Sequence, residues 1–227
     1  ACSKASGNKY TYTVRAYDGY EWSPYNKNGW GIRFLTVPTL SSAKNAYGGV
    51  KVTWSKVTGA SKYVVYRKKS GDDEWTKIKT VTSTSYTDTS AKSNTKYYYT
   101  VKAYYSGSYS YYDTKGVACS YLAAPVVKTE NATSGVKVSW GKVSGAKKYI
   151  VYRKAGSAKS WTKIATTTST SYTDKNVKNK TTYTYMVKAQ KDSLVSAYNT
   201  SGVKIVFLTA PDMLTPTSSK SGVTVKW

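Results

Sequence analysis

Residues 49–68 read GVKVTWSKVTGASKYVVYRK, and residues 135–154 read GVKVSWGKVSGAKKYIVYRK. A third opening, GVTVKW, occupies residues 222–227. In the first copy Val50, Val52 and Trp54 alternate with Lys51 and Thr53, so an extended segment here has one apolar face and one wet face. That is the pattern of an antiparallel sheet buried on one side. KYVVYRK from Lys62, EWTKIKTV from Glu74, TSYTD from Thr84, KYYYTVKAY from Lys96 and GVACSYL from Gly116 continue it. Short strands separated by polar turns every 8 to 12 residues or so predict an all-β fold of antiparallel sandwiches, with almost no helix.

The repeat has a period of 86 residues, which separates Trp54 from Trp140, Tyr66 from Tyr152, Trp75 from Trp161 and Tyr86 from Tyr172. FLTVP ending at Pro38 recurs as YLAAP ending at Pro125 and FLTAP ending at Pro211. Proline interrupts a ladder and favours an extended connection, so the boundaries fall there. NKYTYTVRAY from Asn8 aligns with TKYYYTVKAY from Thr95 and TTYTYMVKAQ from Thr181. The expected organisation is the closing part of a truncated repeat at 1–37, complete repeats at 38–124 and 125–210, and the opening strands of a further truncated repeat at 211–227. Two explanations fit the partial ends: a window cut from a longer array, or chains that associate head to tail through the incomplete repeats.

These residues resemble the fibronectin type III module. The resemblance is carried by the second-strand tryptophan (Trp54, Trp140, Trp227), by YVVYR and YIVYR, and by STSYTD leading into TKYYYTVKAY. The Tyr of that family's tyrosine corner falls on Tyr10, Tyr97 and Tyr183. The resemblance implies an elongated array of immunoglobulin-like sandwiches, of the kind found in tandem in bacterial secreted and cell-surface proteins. It implies an extracellular location and a role in spacing or adhesion, and no ligand by itself. True immunoglobulin domains fit less well, because no cysteine pair sits on facing strands.

Alternation places Trp54 and Trp140 in the core, and Tyr97, Tyr183 and Tyr10 read as structural, each phenol expected to find a backbone partner. Trp75 and Trp161 read as cover for the core. The candidate ligand-binding residues lie before the last strand: Tyr104, Tyr105, Tyr109, Tyr111 and Tyr112 in AYYSGSYSYYD, and Tyr17, Tyr20, Trp22 and Tyr25 in AYDGYEWSPYNKNGW. Tyrosine among Ser and Gly suits adaptable recognition, with rings that could stack on sugars or peptides. The competing reading is an extended hairpin whose tyrosines pack on cross-strand neighbours. The third copy, AQKDSLVSAYN, keeps only Tyr198.

Thirty-five Lys and Arg against 11 Asp and Glu give a net charge of +24. Lys51, Lys137, Arg67, Arg153, Lys102 and Lys188 spread over strands and turns, where outward lysine guards sheet edges; the remainder of the charge could serve an anionic cell-wall polymer. Expected partners are a cell-wall or host glycan or protein or such a polymer, with nucleic acid the least expected. No catalytic, metal or cofactor site is predicted. The sequence has no His, its serines lack a base, and Asp88 and Asp174 read as turn residues. No apolar run is long enough to span a bilayer and no leader precedes the first strand, so any export signal is expected outside these residues. Cys2 and Cys119 are expected too far apart to bridge within one chain, leaving a bond between chains open.

Overall fold

An apolar stripe on one face of a strand is stable only against a second such stripe, and this chain closes its four larger sheets in two facing pairs. The computed structural model describes residues 4–226, and every helix or strand among them is a strand. Cys2 and Trp227, the latter grouped above with the second-strand tryptophans, lie outside the described residues. The chain is all-β, a tandem of antiparallel β-sandwiches, and divides into two compact units, residues 1–121 and 122–227.

The first unit opens with β1 (Lys9–Tyr12) and β2 (Trp30–Arg33), an antiparallel pair. Its sandwich follows as β3 (Leu40–Ala46), β4 (Gly49–Trp54), β5 (Lys62–Lys69), β6 (Thr76–Val81), β7 (Ser85–Asp88), β8 (Thr95–Tyr105), β9 (Ser108–Tyr109) and β10 (Val117–Tyr121). One sheet has the order β3-β4-β7 and the other β10-β8-β5-β6, with β9 added to β8. Val50, Val52 and Trp54 point inward from β4, and Tyr97, Tyr99, Val101 and Ala103 point inward from β8. Burying each large side chain contributes about 1.5–3 kcal/mol. Trp54 meets Tyr63 edge-on, with ring centroids 5.6 Å apart.

In the second unit, β11 (Val127–Ala132), β12 (Gly135–Trp140), β13 (Lys148–Ala155), β14 (Thr162–Thr167), β15 (Ser171–Asp174), β16 (Thr181–Lys191), β17 (Leu194–Val195) and β18 (Val203–Phe207) repeat the same plan. The sheets are β11-β12-β15, and β14-β13-β16 with β17 and β18 both paired to the edge of β16 away from β13. Even the irregularities recur: the register of β5 on β6 shifts between Val65 and Tyr66, and that of β13 on β14 between Val151 and Tyr152. The last pair is β19 (Thr217–Ser219) with β20 (Gly222–Thr224).

The first strand of each sandwich escapes the sequence reading. LSSAKNA in β3 is too polar to alternate clearly, and it pairs on only one side, with β4. Two tyrosine locks repeat with fixed spacing. The Tyr97 hydroxyl accepts from the Lys92 N–H at 3.0 Å and that of Tyr183 from the Lys178 N–H at 2.9 Å. The Tyr63 and Tyr149 hydroxyls accept from the Val57 and Val143 N–H groups at 2.8 and 2.9 Å. Tyr10, expected in the core, differs. It is only half-buried, because no second sheet covers β1, yet its hydroxyl still accepts from the Ala5 N–H at 2.9 Å.

Candidate functional site

The tyrosine-rich segment after β8 forms a hairpin. Ser106 and Gly107 turn the chain with φ of 40° and 85°, both left-handed, as a two-residue hairpin turn requires. The turn puts Tyr104 opposite Tyr109, and their rings sit 4.8 Å apart, tilted by 55°. One residue on, the Ser110 hydroxyl accepts from the Ala103 N–H at 2.9 Å, and the Ser110 N–H donates to the Ala103 carbonyl at 2.9 Å. Ser196 does the same to Ala189 in the second unit, and Ser23 to Ala16 in the N-terminal hairpin.

The clamp aims the next residues across the outer sheet face. Lys102 on β8 places its ammonium 4.7 Å from the Tyr112 ring and 5.6 Å from that of Tyr66. Lys188 stands likewise at 4.6 Å from Tyr198 and 5.4 Å from Tyr152. Trp75 and Trp161, expected as cover for the core, are half-buried in this outer cluster, edge-on to Tyr112 at 6.3 Å and to Tyr198 at 6.4 Å. A Cβ on Gly116 or Gly202 would lie 2.6 or 2.7 Å from the tip of the tryptophan, so glycine is what admits the ring there. The N-terminal hairpin repeats the cation: Arg15 sits 5.7 Å from the Trp22 ring and 5.5 Å from that of Tyr25.

The nine candidate aromatic residues therefore separate into distinct settings. Tyr104, Tyr109 and Tyr112 are held by neighbouring rings or cations, as are Trp22 and Tyr25. Tyr17 stacks on Trp22 at 4.7 Å and donates to the Gly19 carbonyl at 2.9 Å. Tyr105 lies under the Arg33 guanidinium at 4.3 Å. Tyr20 and Tyr111 are largely bare, at 92% and 84% exposed. The paired rings are tilted, so they do not make a flat platform.

The largest departure from the sequence reading is at Asp88 and Asp174. Both end a strand and are buried, which overturns their reading as turn residues. Asp88 Oδ2 accepts from Arg67 Nη1 at 2.7 Å and from the Tyr99 hydroxyl at 2.9 Å; Oδ1 accepts from the Ser90 hydroxyl at 2.7 Å. Arg153, Asp174 and Tyr185 repeat the first two bonds at 2.8 and 2.9 Å. Burial pushes the Asp88 carboxyl up, and the bonds from Ser90, Arg67 and Tyr99 outweigh it and hold the group below the usual carboxylate range. Burial first, then the Asp88 charge, raises the Tyr99 phenol far above its ordinary value. Arg67 and Arg153, read as dispersed surface charge, are instead half-buried, each with its guanidinium paired to a buried aspartate. A carboxylate with its oxygens committed to donors from three residues is an organising centre, not a free base. The missed signal was the repeated Arg-to-Asp spacing of 21 residues.

Cys119 is buried, with its sulfur 3.9 Å from Asn45 Oδ1, and burial pushes its thiol up to about 11. A protonated, shielded thiol is a poor partner for a bond between chains through Cys119; Cys2, the other candidate, lies outside the described residues. Among the described residues no group of acidic, Cys or His side chains could hold a metal, and no helix is long and apolar enough to cross a membrane.

No family model matches the chain. A curated relative, Exoglucanase B of Cellulomonas fimi, is 29% identical over 212 residues, a match taking in 79% of this chain and 18% of that protein. The chain therefore spans less than a fifth of that relative's length. Among solved structures, the FN1-FN3 domains of chicken CNTN1 superpose with a TM-score of 0.33 at 19% identity, over 90% of this chain and 77% of that one.

Proposed function

We propose that this chain is a non-catalytic stretch of fibronectin type III-like sandwiches from a bacterial secreted or surface protein, serving as a spacer and adhesive repeat region. The observation that carries the reading is duplication of complete sandwiches. Each has its own core and its own buried Arg–Asp–Tyr centre, so each is a self-contained link. The carboxylates that recur with the repeat are consumed by that centre, which supports the non-catalytic reading. The partial match to an exoglucanase fits a region that accompanies a polysaccharide-acting domain in a longer protein.

A second reading, stacking on neutral glycans through the tyrosines, is favoured most by the exposure of Tyr20 and Tyr111 and opposed by the tilt of the paired rings. Passing the purified chain over insoluble cellulose, xylan and chitin at low and high salt tests the choice. The spacer reading expects no retention on any of them and no release of reducing sugar. Salt-resistant retention would transfer the assignment to stacking, and sugar release would end the non-catalytic reading.

A further inference from the structure

Beside the hairpin turn of the first sandwich lies a cleft of about 240 Å³, lined by Lys9, Gly31, Arg33, Tyr105, Ser106 and Ser108. Lys9 and Arg33 are cross-strand partners on β1 and β2, which places both cations at one end of the pair. A Cβ on Gly31 would lie 2.7 Å from Lys9 Cε and 3.4 Å from Lys9 Nζ, so the bare glycine is what lets the lysine stem lie across β2 beside the arginine. Arg33 is oriented on two sides. Its Nη1 donates to the Gly7 carbonyl, and the flat of its guanidinium rests 4.3 Å from the Tyr105 ring centroid. The lining contains no acidic side chain, and among the described residues neither Lys9 nor Arg33 forms an ion pair.

Two adjacent cations, one pre-oriented, facing serine hydroxyls across a cleft with no counter-charge, are the recognition chemistry of an anionic oxygen group. The volume is below the roughly 300–1,000 Å³ of ordinary small-molecule sites, so one residue of a polymer fits and an extended segment does not. We propose that this cleft binds the anionic group of a single acidic sugar residue, a uronate carboxylate or a sugar phosphate. Arg33 supplies the planar donors, Lys9 the second charge, and Ser106 and Ser108 the hydroxyl partners. The site is separate from the spacer reading and survives its failure, because it uses none of the groups in the buried centres.

The test titrates the full chain with trigalacturonate, glucose 6-phosphate and neutral maltotriose in about 0.15 M salt, where diffuse surface charge is screened beyond about 8 Å. One or both anions should bind and maltotriose should not; the tighter anion identifies the source. The pair Lys9→Gln with Arg33→Gln should weaken binding at least tenfold, whereas the charge-matched pair Lys77→Gln with Lys79→Gln on β6 should leave it within twofold. Gly31→Ala keeps every charge but displaces Lys9, and should cost several-fold with an unchanged near-ultraviolet circular dichroism spectrum. Absence of binding by both anions, equal weakening by the two double variants, or full affinity in Gly31→Ala would each overturn the site.

Discussion

The N-terminal hairpin and the equivalent hairpin of the first complete sandwich share a sequence pattern but not a setting. The local features are the same in both. A tyrosine hydroxyl accepts from a backbone N–H five residues earlier, a serine clamps an alanine, and a cation lies over a ring from the returning segment. Burial is not the same. Tyr12 and Val14 are 46% and 87% exposed, while their counterparts Tyr99 and Val101 are fully buried. Hydrogen bonds and ring contacts between near neighbours are written in contiguous sequence, whereas burial requires a facing sheet from elsewhere in the chain.

The strongest way to break that comparison is at the group the hairpin lacks. Asp88→Ala leaves the half-buried Arg67 and the buried Tyr99 hydroxyl without their shared acceptor and should destabilise the first sandwich by about 3–5 kcal/mol. The melting transition of the second sandwich should stay in place, resolved by calorimetry. Because the folded Asp88 value is depressed, its contribution is fully present above the unfolded carboxylate value near 4 and is lost as pH falls through the folded value. Acid titration of wild type should therefore erase stability that Asp88→Ala has already lost.

Next in size, Val101→Ala removes buried methyl groups and should cost about 1–3 kcal/mol, against under about 0.5 kcal/mol for Val14→Ala. Equal effects at the two sites would mean that the hairpin is covered in solution. Tyr97→Phe strips the acceptor from the Lys92 N–H and should cost about 1 kcal/mol, with Tyr10→Phe costing less because water replaces the lost partner. Smallest, Lys102→Ala should cost about 0.5–1 kcal/mol through its lost ring contacts, and Arg15→Ala should lie at or below that. Denaturant melts of each pair measure these differences.

The pattern of what the sequence made legible follows the same division. Period-two alternation at Val50, Val52 and Trp54 announces a strand and its inward face, because neighbours in sequence carry the whole signal. Asp88 was misread because a polar residue after a short strand looks like a turn, and only the meeting of β7 with β5 and β8 encloses it. The tyrosine enrichment near position 109 is plain in the sequence, but the tilt of the rings depends on the hairpin register and the serine clamp. Nor does the pairing of Lys9 with Arg33 beside Tyr105 have a linear signature, since three separate segments compose it.

The matched registers of β5 on β8 and β13 on β16 carry a hazard for biosynthesis. A strand of one sandwich finds the same partners, the same arginine and the same aspartate waiting in the other, so the two ion pairs offer no proofreading against strand exchange. Sequence-similar neighbours of this kind are prone to swapped intermediates, and emergence of the first unit from the ribosome before the second separates them in time. Refolding both together from denaturant removes that ordering, and with it the protection against exchange.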